Sequence, residues 1–329
     1  MTESNELRSI YCNEMMRLAD KDPRIMTVDA DLLKAAGMVP FRERFPDRAI
    51  DVGVAEANMM GVAAGLAAMG KIPFAHSFTP FATRRCFDQI TISVAYAGLN
   101  VRIVGSDPGI SAEVNGGTHM SVDDVNLMRG IPGMTVVEPV DSTSLKCLLP
   151  QVAYWDGPVY MRLFRKKPER IYEEGACLKL GQASVIREGF DIALIASGIT
   201  VATALKAAEF LAAEGITVRV MDMHTIKPLD TRAVLDSAHI CGAIVVVENH
   251  SMIGGLGSAV AETLADNGIG IPYVRLGFRD GYGIVGFRPF LDEEMQIDVK
   301  TVCETVKRMI GRNLGGGLTC ASLESDWSD

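Results

Sequence analysis

Residues 49–78, AIDVGVAEANMMGVAAGLAAMGKIPFAHSF, contain two short apolar runs on either side of a longer run rich in Ala and Met. The outer runs predict strands at residues 49–52 and 72–75, and the middle run predicts a helix that begins near Ala55. A strand, a helix and a second strand in this order are typical of a parallel sheet covered by helices. We therefore expect an α/β fold.

The same alternation of apolar runs continues on both sides of this stretch. It predicts further strands at residues 25–28, 101–104, 135–137 and 159–163, and then at 192–196, 218–221, 243–247 and 273–276. Helices are predicted to begin near Glu6, Pro80, Val122, Ser142, Thr200, Asp230 and Gly255, and Asp141 or Ser142 is a suitable N-cap.

A charged and weakly periodic segment, residues 165–182, separates the two groups of strands. The chain of 329 residues is also longer than one core readily supports. We expect a first domain at 1–168, a linker at 169–185 and a second domain at 186–312, each domain a mostly parallel sheet flanked by helices. The polar, Gly-rich residues 313–329 are expected to form a disordered tail.

Composition argues against several classes of function. Acidic residues outnumber basic ones by 41 to 32, which disfavours nucleic acid as a partner. No apolar run approaches the roughly 20 residues of a membrane span, and the N-terminus lacks a secretory pattern, so we expect a cytoplasmic protein. The seven Cys residues never occur as Cys-x-x-Cys, which argues against a disulfide framework and against a metal site on this chain.

Glu56 is the most informative polar residue because it opens an otherwise apolar helix. Burial of a carboxyl group favours its protonated form, which can donate a hydrogen bond to a ligand. The alternative is a structural glutamate that interacts with the free amides at the start of the helix. The residue pattern alone leaves both interpretations open.

Two further segments can contribute to a site near the ends of the predicted strands. Phe78 and Phe81 can line a slot for a flat heterocycle, although aromatic residues at this spacing also occur in ordinary cores. The NGGTH loop at 115–119 carries one imidazole, His119, which can be functional or structural. The GGLG sequence at 254–257 can cradle an anion at a helix start, but the pattern is a weak one.

Four stretches together resemble the transketolase family: DVGVAEANMMGVAAGLAAMG (51–70), PFAHSFTPF (73–81), NGGTHMSVDDVNLMRGIPGMTVVEPVD (115–141), and the pair DIALIASGITVATAL (191–205) with ENHSMIGGLGSAVAE (248–262). They occur in the family's order and spacing over roughly residues 5–310. The first domain is thereby similar to the family's pyrimidine-binding domain, and the second to its C-terminal domain.

This resemblance implies thiamine diphosphate as the cofactor. Glu56 is similar to the family's glutamate that hydrogen-bonds N1′ of the aminopyrimidine, where a shared proton favours the imino tautomer that activates the cofactor. Phe81 is similar to the ring that stacks on the pyrimidine. The implied catalytic residues are Glu56 and His119. The implied cofactor-binding residues are Glu56, Phe78, Phe81, Arg84 and Asp31, and the implied substrate-binding residues are His76, Asn115, His119, Arg8, Arg162 and Arg165.

The family's Gly-Asp-Gly motif, which together with a later Asn holds Mg²⁺ and the diphosphate, does not occur in this sequence. The resemblance therefore implies a separate N-terminal transketolase subunit that supplies the Mg²⁺ and diphosphate site. A pair of these chains joined to two such partners, α2β2, would be the natural closed assembly.

The implied reaction transfers a two-carbon ketol unit from a ketose, with a phosphate as the expected terminal group, to an aldose. The sequence departs from the family at Ala55 and Ala57, which flank the key acid, and at Arg84, Ser106 and Asn115. These changes put the standard sugar phosphates in doubt as substrates. The alternatives are the β subunit of a 2-oxo-acid dehydrogenase, a deoxyxylulose-phosphate synthase variant, and an inactive regulatory or structural homologue.

Overall fold

The computed structural model describes residues 2–313. The tail predicted for residues 313–329 lies, from residue 314 onward, outside the described residues. Within the described part, the chain folds into two mostly parallel sheets flanked by helices, which confirms the predicted fold class. All ten predicted strands are present, several of them one to three residues longer than predicted.

Seven strands form the first sheet: β1 (Ile25–Asp29), β2 (Ala49–Asp51), β3 (Ile72–Phe78), β4 (Arg102–Ser106), β5 (Thr135–Val137), β6 (Val159–Leu163) and β10 (Thr225–Lys227). Their order is β10-β5-β6-β4-β3-β1-β2. All neighbouring pairs are parallel except β10 with β5. The carboxyl ends of β1, β3, β4 and β6 therefore lie along one edge, where ligands bind in sheets of this kind.

Five strands form the second sheet: β7 (Ser184–Arg187), β8 (Ile192–Ala196), β9 (Val218–Asp222), β11 (Ile244–Ser251) and β12 (Tyr273–Phe278). Their order is β12-β11-β8-β9-β7, with only β7 antiparallel to its neighbour.

The helices alternate with these strands. In the first half they are α1 (Leu7–Lys21), α2 (Val39–Arg44), α3 (Glu56–Ala68), α4 (Thr79–Ala82), α5 (Phe87–Gln89), α6 (Asp124–Gly130) and α7 (Ser142–Ala153). In the second half they are α8 (Thr200–Ala213), α9 (Thr231–Cys241), α10 (Leu256–Asp266), α11 (Arg288–Glu294) and α12 (Val299–Asn313). Asp141 caps α7 by accepting from Ser144 N at 2.8 Å, as predicted. No helix within residues 2–313 has the length and apolar character required to cross a bilayer.

The sequence did not predict β7 and β10, the two antiparallel edge strands. β7 begins at Ser184, inside the predicted linker, and β10 extends the first sheet although it belongs to the second half of the chain. The strands read SVIR and TIK. An edge strand has a neighbouring strand on one side only. These two short strands therefore lack the continuous apolar run that is typical of a buried parallel strand.

Helix α3 connects β2 to β3 and places Glu56 at the carboxyl edge of the first sheet. Met59, Met60 and Ala63 pack into the core on one side, while Gly61 and Gly65 on the opposite side are exposed. The helix is apolar around its whole circumference, as the sequence indicated.

One apolar core joins the two domains. It includes Val125 and Met128 of the first domain together with Met223, Ile226 and Val246 of the second. All of these side chains are buried, and burial of apolar surface contributes roughly 25 cal/mol per Å². The loops of the second domain are therefore held in fixed contact with the edge of the first sheet.

Candidate active site

Glu56 is the first residue of α3, and its side chain is only 3% exposed. Arg85 Nη1 donates to Glu56 Oε1 at 2.8 Å, and the Arg85 side chain is half-exposed. The sequence predicted a buried carboxyl group at the start of an apolar helix, and the structure adds one cation against it. Arg85 was not among the predicted site residues.

Three rings form a wall beside Glu56. Phe78, at the end of β3, and Phe81, in α4, have ring centroids 6.2 Å apart. The imidazole of His119 lies 5.9 Å from the Phe78 ring and 5.1 Å from the Phe81 ring. The structure therefore brings together the two phenylalanines and the histidine that the sequence selected from two separate segments.

The guanidinium of Arg85 also lies over the Phe81 ring, with Cζ 3.8 Å from the ring centroid. A flat cation thus stacks on an aromatic face and donates an N–H to a buried carboxylate at the same time. A flat nitrogen heterocycle such as an aminopyrimidine requires these two interactions. The donor and acceptor set of this slot fits that chemical class.

Arg8 and Arg165 converge on one carbonyl oxygen near this wall. Arg8 Nη1 and Arg165 Nη1 donate to Ala35 O at 3.0 and 2.9 Å. The Arg165 guanidinium lies 4.7 Å from the centroid of Phe78, and its Nε donates to Asp107 Oδ2 at 2.7 Å. Arg8 Nε also pairs with Glu6 Oε2 at 2.7 Å, so each of the two guanidinium groups already has a carboxylate partner. A tetrahedral anion bound to these two forked donors would have to displace some of these contacts.

Arg162, predicted to bind substrate, lies elsewhere. Its side chain is 1% exposed and bonds Asp124 Oδ2 at 2.7 Å, Glu138 Oε1 at 2.9 Å and Asn249 O at 2.9 Å. The two buried carboxylates raise the pKa of Arg162 far above its usual range, although burial opposes this. All three guanidinium nitrogens are bonded inside the protein, so the structure places Arg162 between the two domains and away from the open slot.

His76, also predicted to contact substrate, is buried below the wall. It is 3% exposed, pairs in register with Asp29 and packs edge-on against Tyr11. Burial lowers its pKa to about 3, so the ring is neutral. Four buried polar atoms have no hydrogen-bond partner among the described protein atoms: Nδ1 and Nε2 of His76, Asp29 Oδ2 and Tyr11 Oη. The structure thus places His76 in the layer between α1 and the sheet, outside the open slot.

Three other predicted residues are exposed near the site. Asp31 has φ 61° and its backbone N–H donates to Asp51 Oδ1 at 3.0 Å. Asn115 ends a 3₁₀ segment, Gly109–Asn115, four residues before His119. Arg84 Nη1 lies 3.6 Å from Asp123 Oδ2, and the contact with Glu56 is made by the neighbouring Arg85. Of the two adjacent arginines, it is therefore Arg85 that enters the slot.

The GGLG loop does not present an open anion site. Glu248 is buried and accepts from Leu256 N at 2.7 Å and from Gly257 N at 3.0 Å, so its own carboxyl group occupies the start of α10. Burial raises the pKa of Glu248 to about 7, and the two backbone donors oppose this shift. Within residues 2–313, no three His, Cys, Asp or Glu side chains are grouped so as to hold a metal ion.

Comparison with known proteins gives a family match for each half of the chain. The family model for the transketolase pyrimidine-binding domain matches residues 4–169, and the model for the transketolase C-terminal domain matches residues 181–302. The chain is 54% identical over 310 residues to the 6-deoxy-6-sulfo-D-fructose transketolase subunit of Clostridium sp. (strain MSTE9), covering 94% of this chain and 96% of that relative.

Two further relatives extend the comparison. An apulose-4-phosphate transketolase subunit of Actinobacillus succinogenes is 33% identical over 305 residues, covering 92% of this chain and 98% of that relative. A solved structure described as a split gene transketolase, inactive beta4 tetramer, superposes with a TM-score of 0.85 at 38% identity and covers 94% of this chain and 99% of that chain.

Proposed function

The chain belongs to the transketolase family and is a transketolase subunit, and we propose that it binds the aminopyrimidine half of thiamine diphosphate. The observation that carries this proposal is the pair of contacts made by Arg85, which stacks on Phe81 and donates to the buried carboxylate of Glu56. An aminopyrimidine in the same place would make the same two contacts.

When bound, thiamine diphosphate supplies the nucleophilic carbon that breaks the bond next to a ketose carbonyl. Glu56 holds a proton at the pyrimidine N1′, which requires Arg85 to leave this carboxylate. Phe81 provides the stacking face, and Phe78 closes the wall. His119 lies against both rings and donates a hydrogen bond to an oxygen of the reacting sugar.

A partner subunit supplies the Mg²⁺ and diphosphate site in this proposal. The sequence has no Gly-Asp-Gly motif, and two relatives are named as transketolase subunits. The solved relative is a tetramer of β chains described as inactive. These observations support an assembly in which two β chains and two partners together form the active enzyme.

The proposed donor is a ketose with a terminal anionic group, and specifically a sulfonate. Arg8 and Arg165 provide the paired donors for such a group at the edge of the wall. The two relatives are named for 6-deoxy-6-sulfo-D-fructose and apulose-4-phosphate, both of which end in a tetrahedral anion. The relative named for the sulfonated sugar has the higher identity, 54% against 33%.

The proposal is tested with this chain co-expressed with a partner that carries Gly-Asp-Gly. The complex should convert 6-deoxy-6-sulfo-D-fructose and an aldose acceptor only when Mg²⁺ and thiamine diphosphate are present. Glu56→Gln should reduce kcat by at least about a hundredfold, because a general acid–base group contributes about 10²–10⁴. Glu43→Gln, a change at an exposed glutamate of α2, serves as the matched control.

Three results would contradict parts of the proposal. Full activity of Glu56→Gln would remove the cofactor role of this residue. Activity of the isolated chain would remove the need for a partner. Release of CO₂ from a 2-oxo acid, with no ketol transfer, would favour the dehydrogenase alternative.

A further inference from the structure

We infer that Asn249, a residue of the second domain, positions the loop that carries His119 and thereby acts on sugar binding without touching the sugar. This inference rests on the proposed role of His119. The loop in question spans residues 107–123, between β4 and α6. It leaves the first sheet, presents His119 to Phe78 and Phe81, and returns to the first domain.

The side-chain amide of Asn249 is bonded to the start of this loop on both sides. Its Oδ1 accepts from Ile110 N at 2.9 Å, and its Nδ2 donates to Pro108 O at 2.9 Å. The residue is 1% exposed, so no solvent competes with these bonds. The amide thus pairs with the loop backbone as a neighbouring strand would, and it fixes the direction in which the loop leaves the sheet.

Gly109 lies between the two bonded residues and shows how closely the chains approach. It has φ 52°, a conformation that favours glycine, and a Cβ at this position would overlap the Asn249 side chain. The backbone passes directly over the amide at this point. Asn249 is therefore in contact with the loop and leaves no space for water between them.

The far end of the loop is held by the same strand of the second domain. Ser251 N, two residues after Asn249 in β11, donates to Val122 O at 2.9 Å. Gly109 N donates to Ser121 O at 2.9 Å and closes the base of the loop. Both ends of the loop are thus bonded to the carboxyl end of β11, so their separation is fixed by three consecutive residues.

The tip of the loop packs against a second segment of the same domain. A Cβ on Gly117 would overlap Gly283 O, and a Cβ on Gly116 would press on Val285. His119 N donates to Gly116 O at 3.0 Å, so the imidazole follows any movement of this glycine. The second domain thus contacts the loop at its base and at its tip, although it contributes no side chain to the aromatic wall described above.

A displacement of a catalytic group by about 1 Å can cost about a hundredfold in rate. Asn249→Ala should therefore lower kcat/KM for the ketose donor by at least about tenfold. Affinity for thiamine diphosphate should stay within twofold, because Glu56 and Phe81 are held by α3 and α4 of the first domain. A residue that only stabilised the fold would change both quantities or neither.

The experiment is a double-mutant cycle in the complex with the partner subunit. It compares Asn249→Ala, His119→Ala and the double variant for donor kcat/KM, cofactor dissociation constant and melting temperature. If Asn249 acts through His119, the double variant should be no slower than His119→Ala alone. Thr263→Ala is the control, since it removes another buried side-chain hydrogen bond of the second domain within its own helix, α10.

Two outcomes would overturn the inference: multiplicative losses in the double variant, or an unchanged kcat/KM in Asn249→Ala. A failure of the proposed function looks different, because the unaltered complex would then show no ketol transfer. A failure of the role of His119 alone would show as full activity of His119→Ala. If Asn249→Ala does not fold, Asn249→Asp replaces it, because a carboxylate keeps the acceptor for Ile110 N and removes the donor to Pro108 O. The same cycle with His119→Ala should again be non-multiplicative.

Discussion

Arg85 donates to the Glu56 carboxylate at 2.8 Å while its guanidinium lies 3.8 Å from the centroid of the Phe81 ring. One side chain thereby occupies both contacts that the proposed cofactor requires. A cofactor that enters this slot has to displace the guanidinium, so its observed affinity includes the free energy of breaking these contacts.

Arg85→Ala should bind thiamine diphosphate more tightly than the unaltered chain. A half-exposed ion pair and a cation–π contact each contribute up to about 1 kcal/mol, so the dissociation constant should fall by about tenfold. Equilibrium titration of the assembled complex measures this change. Arg42→Ala, at an exposed arginine of α2, is the control. An unchanged or larger dissociation constant for Arg85→Ala would show that Arg85 does not compete with the cofactor.

Arg165→Ala should raise KM for a donor that ends in a sulfonate or phosphate by about ten- to a hundredfold, because charge-assisted hydrogen bonds contribute about 1.5–3 kcal/mol. Turnover of D-fructose, which has no terminal charge, should change by less than about threefold. Steady-state kinetics with both donors measures the difference. Equal losses for the charged and the neutral sugar would place the anion site elsewhere.

Arg162→Ala should destabilise the protein because it leaves the buried carboxylates of Asp124 and Glu138 without their shared cation. Breaking a buried ion pair costs about 3–5 kcal/mol, which denaturant unfolding can measure. Arg232→Ala is the control, since Arg232 is 91% exposed, and it should change stability by less than about 0.5 kcal/mol. Normal stability of Arg162→Ala, together with a raised KM, would restore the substrate role.

Asp222→Asn should make stability less sensitive to rising pH. Burial raises the pKa of Asp222 to about 8, so the folded protein keeps this proton while the unfolded chain loses it above about pH 4. The stabilisation from this group is complete at low pH and is lost as pH rises towards 8, at about 1.4 kcal/mol per pH unit. The free energy of unfolding, measured from pH 5 to 8, should increase in the variant relative to the unaltered chain. The same pH dependence in both proteins would contradict this.

The buried parallel strands were predictable because each is a continuous apolar run that the sequence displays directly. The cluster of Glu56, Phe78, Phe81 and His119 was suggested by the family resemblance. The structure brings the three rings together, and Arg85 connects Phe81 to Glu56. Its position follows from the rule that parallel strands place their carboxyl ends along one edge.

The choice between Arg84 and Arg85 could not be read from the sequence. The chain passes from α4 into the 3₁₀ turn Arg84–Cys86 through Thr83, whose φ and ψ of −121° and −88° are not helical. This break sets which of the two adjacent side chains turns towards Glu56, and no helical periodicity extends across it.

The burial of Arg162 could not be read from the sequence for a different reason. An arginine at the end of a strand suggests a ligand for an anion, and its partners come from residues 24 to 87 positions away along the chain. Only the folded chain shows that Asp124, Glu138 and Asn249 O already surround it.

Strand β10 has a consequence for the integrity of the whole chain. The first sheet ends in three residues, Thr225–Lys227, that follow the predicted linker by some forty positions. A fragment cut in the linker would keep the residues of the aromatic wall but would leave β5 with an unpaired edge, which promotes aggregation. We therefore expect that the two halves do not behave as independent modules, and that a fusion protein has to retain both of them.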